Sequence, residues 1–260
     1  MLYPLPVNML FLDEAEIGVP LPPSDERVRH VRKVLKKGPG DSIAAGTPDG
    51  RLGAATIEAR DGGAMSFAFS PEREAPALRP VVLLLGFPRP IQANRILKDL
   101  SSLGISRILL SGTELGEKSY FQSDFFKNRE FRSALIEGAM QAGNPRLPEV
   151  GTAWTLARAL DSLEPPGIEA PPEMAGSPGR RWALDPYRAQ ATFGRALPLE
   201  AGDAAPLTLA IGSERGWTTA ELDLLASRGF SFASLGDRIL KTETAAVAAV
   251  SIALSRLGYL

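Results

Sequence analysis

The stretch LAIGSERGWTTAEL, residues 209–222, decides how the rest of the chain reads. Its apolar start is a short buried strand. Gly212 and Gly216 then let the backbone turn tightly, and Thr218 with Glu221 forms a capping box that opens a helix. A strand running directly into a helix is the grammar of α/β proteins, which bind ligands in the crevice beyond the carboxyl ends of their strands. The turn lacks the G-x-G-x-x-G spacing of dinucleotide sites, which argues against a nicotinamide or flavin cofactor.

Downstream, FASLGDRILKTETAAVAAV (residues 232–250) predicts a strand over Phe230–Leu235 and a closing helix from about 241 to 257. That helix is alanine-rich on all sides, which suits burial or a subunit contact. Gly236, Lys241 and Thr242 superficially imitate a phosphate-binding loop. Leu240, however, takes the place of the glycine whose amide would cradle phosphate, so nucleotide triphosphate hydrolysis is disfavoured. Upstream the alternation continues: a strand at Val81–Leu85, a helix over 91–103 stopped by Gly104, a strand at Arg107–Leu110, and helices over 124–142 and 153–163. Strands at Arg181–Leu184 and Leu207–Ile211 and a helix over 219–228 ending at Gly229 complete it. Short apolar strands of this kind predict a buried parallel sheet. Between them, EPPGIEAPPEMAGSPGR (164–180) carries five prolines and three glycines and reads as a flexible insertion.

Residues 1–75 read differently, as a small β domain before a larger domain over 76–260. The boundary falls in PEREAPALRP (71–80), whose prolines and charges suit an exposed connection. Strands are expected at Ser42–Gly46, Arg51–Ala59 and Ala64–Ser70, with Thr47-Pro48-Asp49-Gly50 turning between the first two. A helix near 24–36 starts at Ser24 as N-cap. Within it RVRHVRKVLKK (27–37) sets Val28, Val31, Val34 and Leu35 on one face and leaves Arg29, Arg32, Lys33 and Lys36 outward, a patch able to neutralise phosphates. His30 beside them suits a polar contact better than catalysis.

Composition removes other chemistries. The 260 residues are 44% hydrophobic and 23% charged with a net charge of −1, so the chain can bury a core and bulk charge does not point to nucleic acid or membrane. With no cysteine and one histidine, thiolate nucleophiles, disulfides and the usual zinc sites are ruled out or disfavoured. No run approaches the roughly 20 apolar residues of a membrane span, and the start MLYPLPVNMLFLDE lacks a basic segment ahead of an apolar one. A cytoplasmic, metal-free, soluble protein is the expectation.

Taken in order, IGSERGWT and then SLGDRILKTETAAVAA (234–249) resemble the small-subunit rRNA uridine-N3 methyltransferases, the ribosomal small-subunit methyltransferase E family of the SPOUT class. The resemblance extends through LGISRIL (103–109), EGAMQAGNPRLPEV (137–150) and HVRKVLKKGPGD (30–41). It implies a PUA-like β-barrel followed by an α/β domain with a deep trefoil knot, which ordinary connection rules would exclude. It also implies S-adenosylmethionine as cofactor, a homodimer, and 16S rRNA or the small subunit as partner, with the methyl group going to uracil N3. Carried over by position, the cofactor loops are Leu184-Asp185, Ile211-Gly212-Ser213-Glu214-Arg215-Gly216, and Leu235, Gly236, Arg238, Ile239, Leu240 with Thr242. Arg238 would stabilise the uracil anion or orient RNA, Glu214 or Glu243 would act as base or loop anchor, and Arg215 would join Arg29, His30, Arg32, Lys33 and Lys36 in holding RNA. Attack by a ring nitrogen needs no covalent thiolate, which suits a chain without cysteine. The family's G-P-E-G-G turn reads here with Ser213 and Arg215. Lys98, Asp99, Ser102 and Met140 also depart from the pattern, which keeps open a SPOUT enzyme acting on another RNA or a catalytically silent assembly module.

Overall fold

The computed structural model describes residues 9–163, 180–197 and 206–260, so the proline-rich insertion read at 164–180 lies outside the described residues except for Arg180. The chain forms two compact units. One comprises residues 9–77 with Ile136–Leu147, and the other comprises the described parts of Leu78–Leu135 and Pro148–Leu260.

In the first unit, β1 (Leu10–Phe11), helix α1 (Glu26–Lys33), β2 (Ser42–Gly46), β3 (Arg51–Ala59) and β4 (Met65–Glu74) follow in order. The sheet order is β1-β2-β3-β4, with β1 parallel to β2 and the remaining pairs antiparallel. The turn after β2 closes through Gly50 N–H donating to Thr47 O at 2.8 Å, with Gly50 at a φ of 100° that glycine alone tolerates well. Leu12, Val28, Val31, Ile57 and Phe67 fill the core.

Strand β4 continues through Pro71–Glu74, where the sequence suggested an exposed connection. Pro71 is accommodated at a bulge opposite Gly53, whose missing side chain leaves room for the Ser70 carbonyl. The α1 N-cap is Asp25 rather than Ser24: its carboxylate accepts from Arg27 N–H at 2.9 Å. Val34, expected on the buried face, is 60% exposed, because the helix ends at Lys33 and Lys36 turns left-handed at φ 52°. Residues 136–147 join this unit through Arg146, which donates to Asp49 O at 3.0 Å and to Glu74 at 2.8 Å, and through Pro145 against Gly46.

In the second unit the elements are β5 (Arg79–Gly86), α2 (Pro90–Leu103), β6 (Ile105–Ser111), α3 (Lys118–Phe121), α4 (Asp124–Lys127), α5 (Phe131–Ala142, first unit from Ile136), β7 (Glu149–Ala153), α6 (Leu156–Asp161), β8 (Arg181–Leu184), α7 (Phe193–Ala196), β9 (Leu207–Ile211), α8 (Thr219–Ser227), β10 (Ser231–Ala233) and α9 (Thr242–Arg256). Six strands form one wholly parallel sheet in the order β10-β8-β9-β5-β6-β7. Alternation along the strands turns Leu84, Leu109, Ala183 and Ala210 toward α6 and α8. On the other side α2 packs against α9, which also touches β5 and β9.

The expected helix over 124–142 is broken into α4 and α5, because Arg129 takes a left-handed φ of 55°. Helices α3 and α7, each a single turn, and strand β7 carry no periodic signal. Edge strand β7 reads EVGTA, without the alternation that reveals a half-buried strand.

Arg27 holds the opening of the first unit together. Its guanidinium donates to both Glu16 oxygens, at 2.6 and 2.8 Å, and to both Asp25 oxygens, at 3.0 and 2.9 Å. Hydrogen bonding from Arg27 holds both carboxyls below the usual carboxylate range. Their contribution to stability is therefore present above the ordinary carboxylate pKa and is lost as the pH falls through the lowered values. Arg27→Met is expected to lower stability at pH 7 by about 1–3 kcal/mol. In urea titrations the gap between wild type and variant should narrow below pH 4.

Candidate active site

All six strands of the parallel sheet end at one edge, and three of the exits converge. Beyond β8 the buried carboxylate of Asp185 accepts from the N–H groups of Tyr187 (3.0 Å) and Arg188 (2.7 Å), which fixes the first loop. Beyond β9, residues Gly212–Trp217 fold back on themselves. Gly216 N–H donates to Ser213 O at 2.8 Å, with Gly216 at φ 76°. A side-chain carbon on Gly212 would lie 2.8 Å from the Gly216 carbonyl carbon, and one on Gly86, where β5 ends, would lie 2.4 Å from Ser213 N. These two glycines are required by close backbone approach. Beyond β10, Ser234 O accepts from Phe193 N–H at 2.7 Å, and the chain then passes through Gly236 at φ 119° into α9.

The three loops enclose a cavity of about 340 Å³. Leu184 and Asp185 line it from the first loop. Ile211, Gly212, Ser213, Glu214, Arg215 and Gly216 line it from the second. Leu235, Gly236, Arg238, Ile239, Leu240 and Thr242 complete it from the third. Sequence reasoning missed Pro186, Tyr187, Trp217 and Ala245 in the same wall. Trp217 is 8% exposed, and its indole Nε1 is buried without a hydrogen-bond partner, a donor at the cavity wall.

A second cavity of about 540 Å³ shares Ser213, Glu214, Arg215, Ile239, Leu240 and Thr242 with the first. Glu243 lines only this one, Arg238 only the first, and Glu214 both. Its other wall carries Arg89, Gln92, Glu117, Tyr120 and Lys241. Arg89 N–H donates to Glu214 Oε1 at 3.1 Å, and its Nε donates to the Tyr120 hydroxyl at 2.8 Å. Gln92 Oε1 is buried with no partner. Arg89 and Gln92 flank a strand-to-helix turn with Pro90 at the first helical position, so the strand-end rule could have found them. Tyr120, on a four-residue helix, has no comparable signal. The buried Glu221 carboxylate accepts from Thr218 N–H at 2.9 Å and Glu114 N–H at 2.8 Å, tying the start of α8 to the loop after β6.

Of the other residues singled out in the sequence, Arg29, His30, Arg32 and Lys33 lie on α1 and Lys36 just after it, in the first unit. Arg29 pairs with Glu26 at 3.7 Å, and Arg32 donates to Gly63 O. Lys33 and Lys36 are exposed, whereas His30 is half-buried with Nε2 sealed from solvent. Among the described residues no three His, Cys, Asp or Glu are grouped to hold a metal ion, and no helix is long and apolar enough to cross a membrane.

Residues 74–254 match the RNA methyltransferase domain family. The chain is 39% identical to the ribosomal RNA small subunit methyltransferase E of Treponema pallidum, over 89% of this chain and 83% of that one. With the ribosomal RNA small subunit methyltransferase E 1 of Borreliella burgdorferi the identity is 29% over 96% of this chain and 97% of the relative. Its fold is shared with a Legionella pneumophila methyltransferase solved with bound SAM (TM-score 0.72, 22% identity, covering 96% and 98% of the two chains). The Neisseria gonorrhoeae ribosomal RNA small subunit methyltransferase E bound to S-adenosyl methionine also shares it (TM-score 0.69, 22% identity, covering 96% and 97%).

Gly86→Ala should force the β5 exit and the second loop apart and destabilise the protein by about 1–3 kcal/mol. In thermal denaturation Gly38→Ala, with nothing within 4 Å of the added carbon, serves as the near-neutral control.

Proposed function

We propose that this chain, which belongs to the ribosomal RNA small subunit methyltransferase E family, methylates N3 of a uracil in 16S ribosomal RNA. It is an S-adenosylmethionine-dependent RNA methyltransferase. The observation that carries the finer reading is the shared wall. A donor held in the first cavity and a base held in the second would meet across Ser213–Arg215, Ile239, Leu240 and Thr242.

The first cavity suits the cofactor. Leu184, Ile211 and Leu240 offer apolar surface for an adenosyl group, Gly212 and Gly216 bring bare backbone to the wall, and the orphan Trp217 N–H awaits an acceptor. When bound, S-adenosylmethionine supplies a methyl group already activated on a sulfonium, so the protein has mainly to align the nucleophile and remove its proton. In the second cavity Gln92 Oε1 can accept from a base edge. Glu243, or Glu214 held by Arg89 N–H, would take the N3 proton and so free the ring nitrogen to accept the methyl group. Arg238 and Arg215 form no ion pair with any described residue. Arg238, at the wall of the first cavity, is free to balance negative charge on a uracil oxygen that reaches the shared wall, and Arg215, which lines both cavities, to contact RNA phosphate.

The reading extends to a PUA-like barrel in the first unit, holding RNA with Arg29, Arg32, Lys33 and Lys36, and to a trefoil knot in the second. The sheet order supports the knot: β10 lies outside β8 although it follows β9, and the loop after it returns to α9, which packs on β9. A homodimer acting in the cytoplasm on the small subunit completes the proposal, without a metal.

Glu243→Gln should lower kcat by roughly 10²- to 10⁴-fold while leaving S-adenosylmethionine affinity unchanged in calorimetry, since Glu243 does not line the first cavity. Arg238→Ala should lower both methylation rate and cofactor affinity. Near-normal turnover in both variants would overturn the role assignment, and intact N3-methyluracil in 16S rRNA from cells lacking this chain would overturn the substrate.

A further inference from the structure

The carboxyl edge of the sheet does not end at the second cavity. Beyond β5, β6 and β7 the chain presents Phe87, Thr113 and Trp154, and Phe121 of α3 leans over them. Trp154 and Phe121 stand with ring centroids 3.6 Å apart at 47°, and Phe87 meets Phe121 edge-on at 4.8 Å. The rings surround a cleft of about 320 Å³, at the small end of the range for ligand sites. Core packing does not account for Trp154, which is 52% exposed, whereas Trp182 and Trp217 are 7% and 8% exposed.

Three features say what would fill this cleft. It is continuous with the second cavity, because Gly116 and Glu117 line both. Its wall holds one polar atom without a partner, the buried hydroxyl of Thr113, able to donate to or accept from a flat polar edge. Lys118 stands at the rim and forms no ion pair with any described residue, leaving its ammonium available to a phosphate. An aromatic wall, a single hydrogen-bonding group and a nearby cation suit an unpaired base with its backbone.

We infer that the Phe87–Phe121–Trp154 cleft stacks an unpaired nucleobase adjoining the target nucleotide, so that RNA crosses the carboxyl edge with two bases splayed into neighbouring cavities. This rests on the RNA methyltransferase reading above. Stacking on Trp154 fixes the neighbour and thereby the register of the target, making Trp154 a positioning residue.

The test uses the full-length protein with Trp154→Ala, Trp154→Leu and Trp154→Phe variants. Small subunits from cells lacking this protein serve as methyl acceptor, and octa-adenylate as a binding probe. Loss of one stacked base corresponds to about 5- to 150-fold weaker binding, so KM for subunits should rise by that factor in the Ala and Leu variants. The Phe variant should recover most of it, with kcat and S-adenosylmethionine affinity unchanged throughout. Octa-adenylate should quench wild-type tryptophan fluorescence, and the Phe variant should lose that quench while still binding. A Trp154→Ala KM within twofold of wild type would overturn the inference. So would a shift in sedimentation from dimer to monomer with octa-adenylate binding intact, which would assign the cleft to a second copy of the chain. Should wild type methylate no RNA yet still show the Trp154-dependent quench, the enzymatic reading fails and the base cleft stands.

Discussion

The close approach of two backbones at the carboxyl edge of the sheet is the constraint on which the site depends. Gly86 ends β5 against Ser213 with no room for a single added carbon, and Gly212 packs almost as tightly against Gly216. Side chains at these points would hold the second loop away from the sheet. Without them the loop curls into a closed turn, and its backbone becomes the partition between two cavities. The parallel sheet makes this possible, since every strand delivers its exit to the same edge.

That partition separates two kinds of surface. On one side Leu184, Ile211 and Leu240 stand beside exposed backbone, one orphan indole N–H and the guanidinium of Arg238. On the other it is crowded with the charged side chains of Arg89, Glu117, Lys241 and Glu243. A methyl transfer is served by such a division, because the donor must be held in line with an acceptor that loses a proton. Glu221 and Asp185 shape the loops. Each spends a buried carboxylate on backbone N–H groups and so holds a loop in the shape that the cavities require.

Local signals were strongest where the chain punctuates itself. The capping box at Thr218 and Glu221 and the glycines at 104 and 229 set the ends of α2 and α8, while Leu207–Ile211, Arg181–Leu184, Ser42–Gly46 and Arg51–Ala59 formed as strands at the expected residues. Signals failed where tertiary context overrode pattern. Arg129 broke a helix that its neighbours would have continued, a bulge at Gly53 carried β4 through a proline, and β7 formed without alternation because β6 supplied its partner.

By itself, then, the sequence determined the alternation of strands and helices and the parallel sheet, because each is written in contiguous residues of the right periodicity or type, while its resemblance to a known family implied the three loops that line the first cavity. Only the tertiary structure decided that Arg89, Gln92 and Tyr120 face Glu243 across a second cavity, that Trp154 and Phe121 meet beyond it, and that residues 136–147 belong with the first unit through Arg146. The physical reason is common to all three. These groupings arise from contacts between segments far apart in the chain, and no local pattern of hydrophobicity, capping or turn chemistry records which distant segments a fold will bring together.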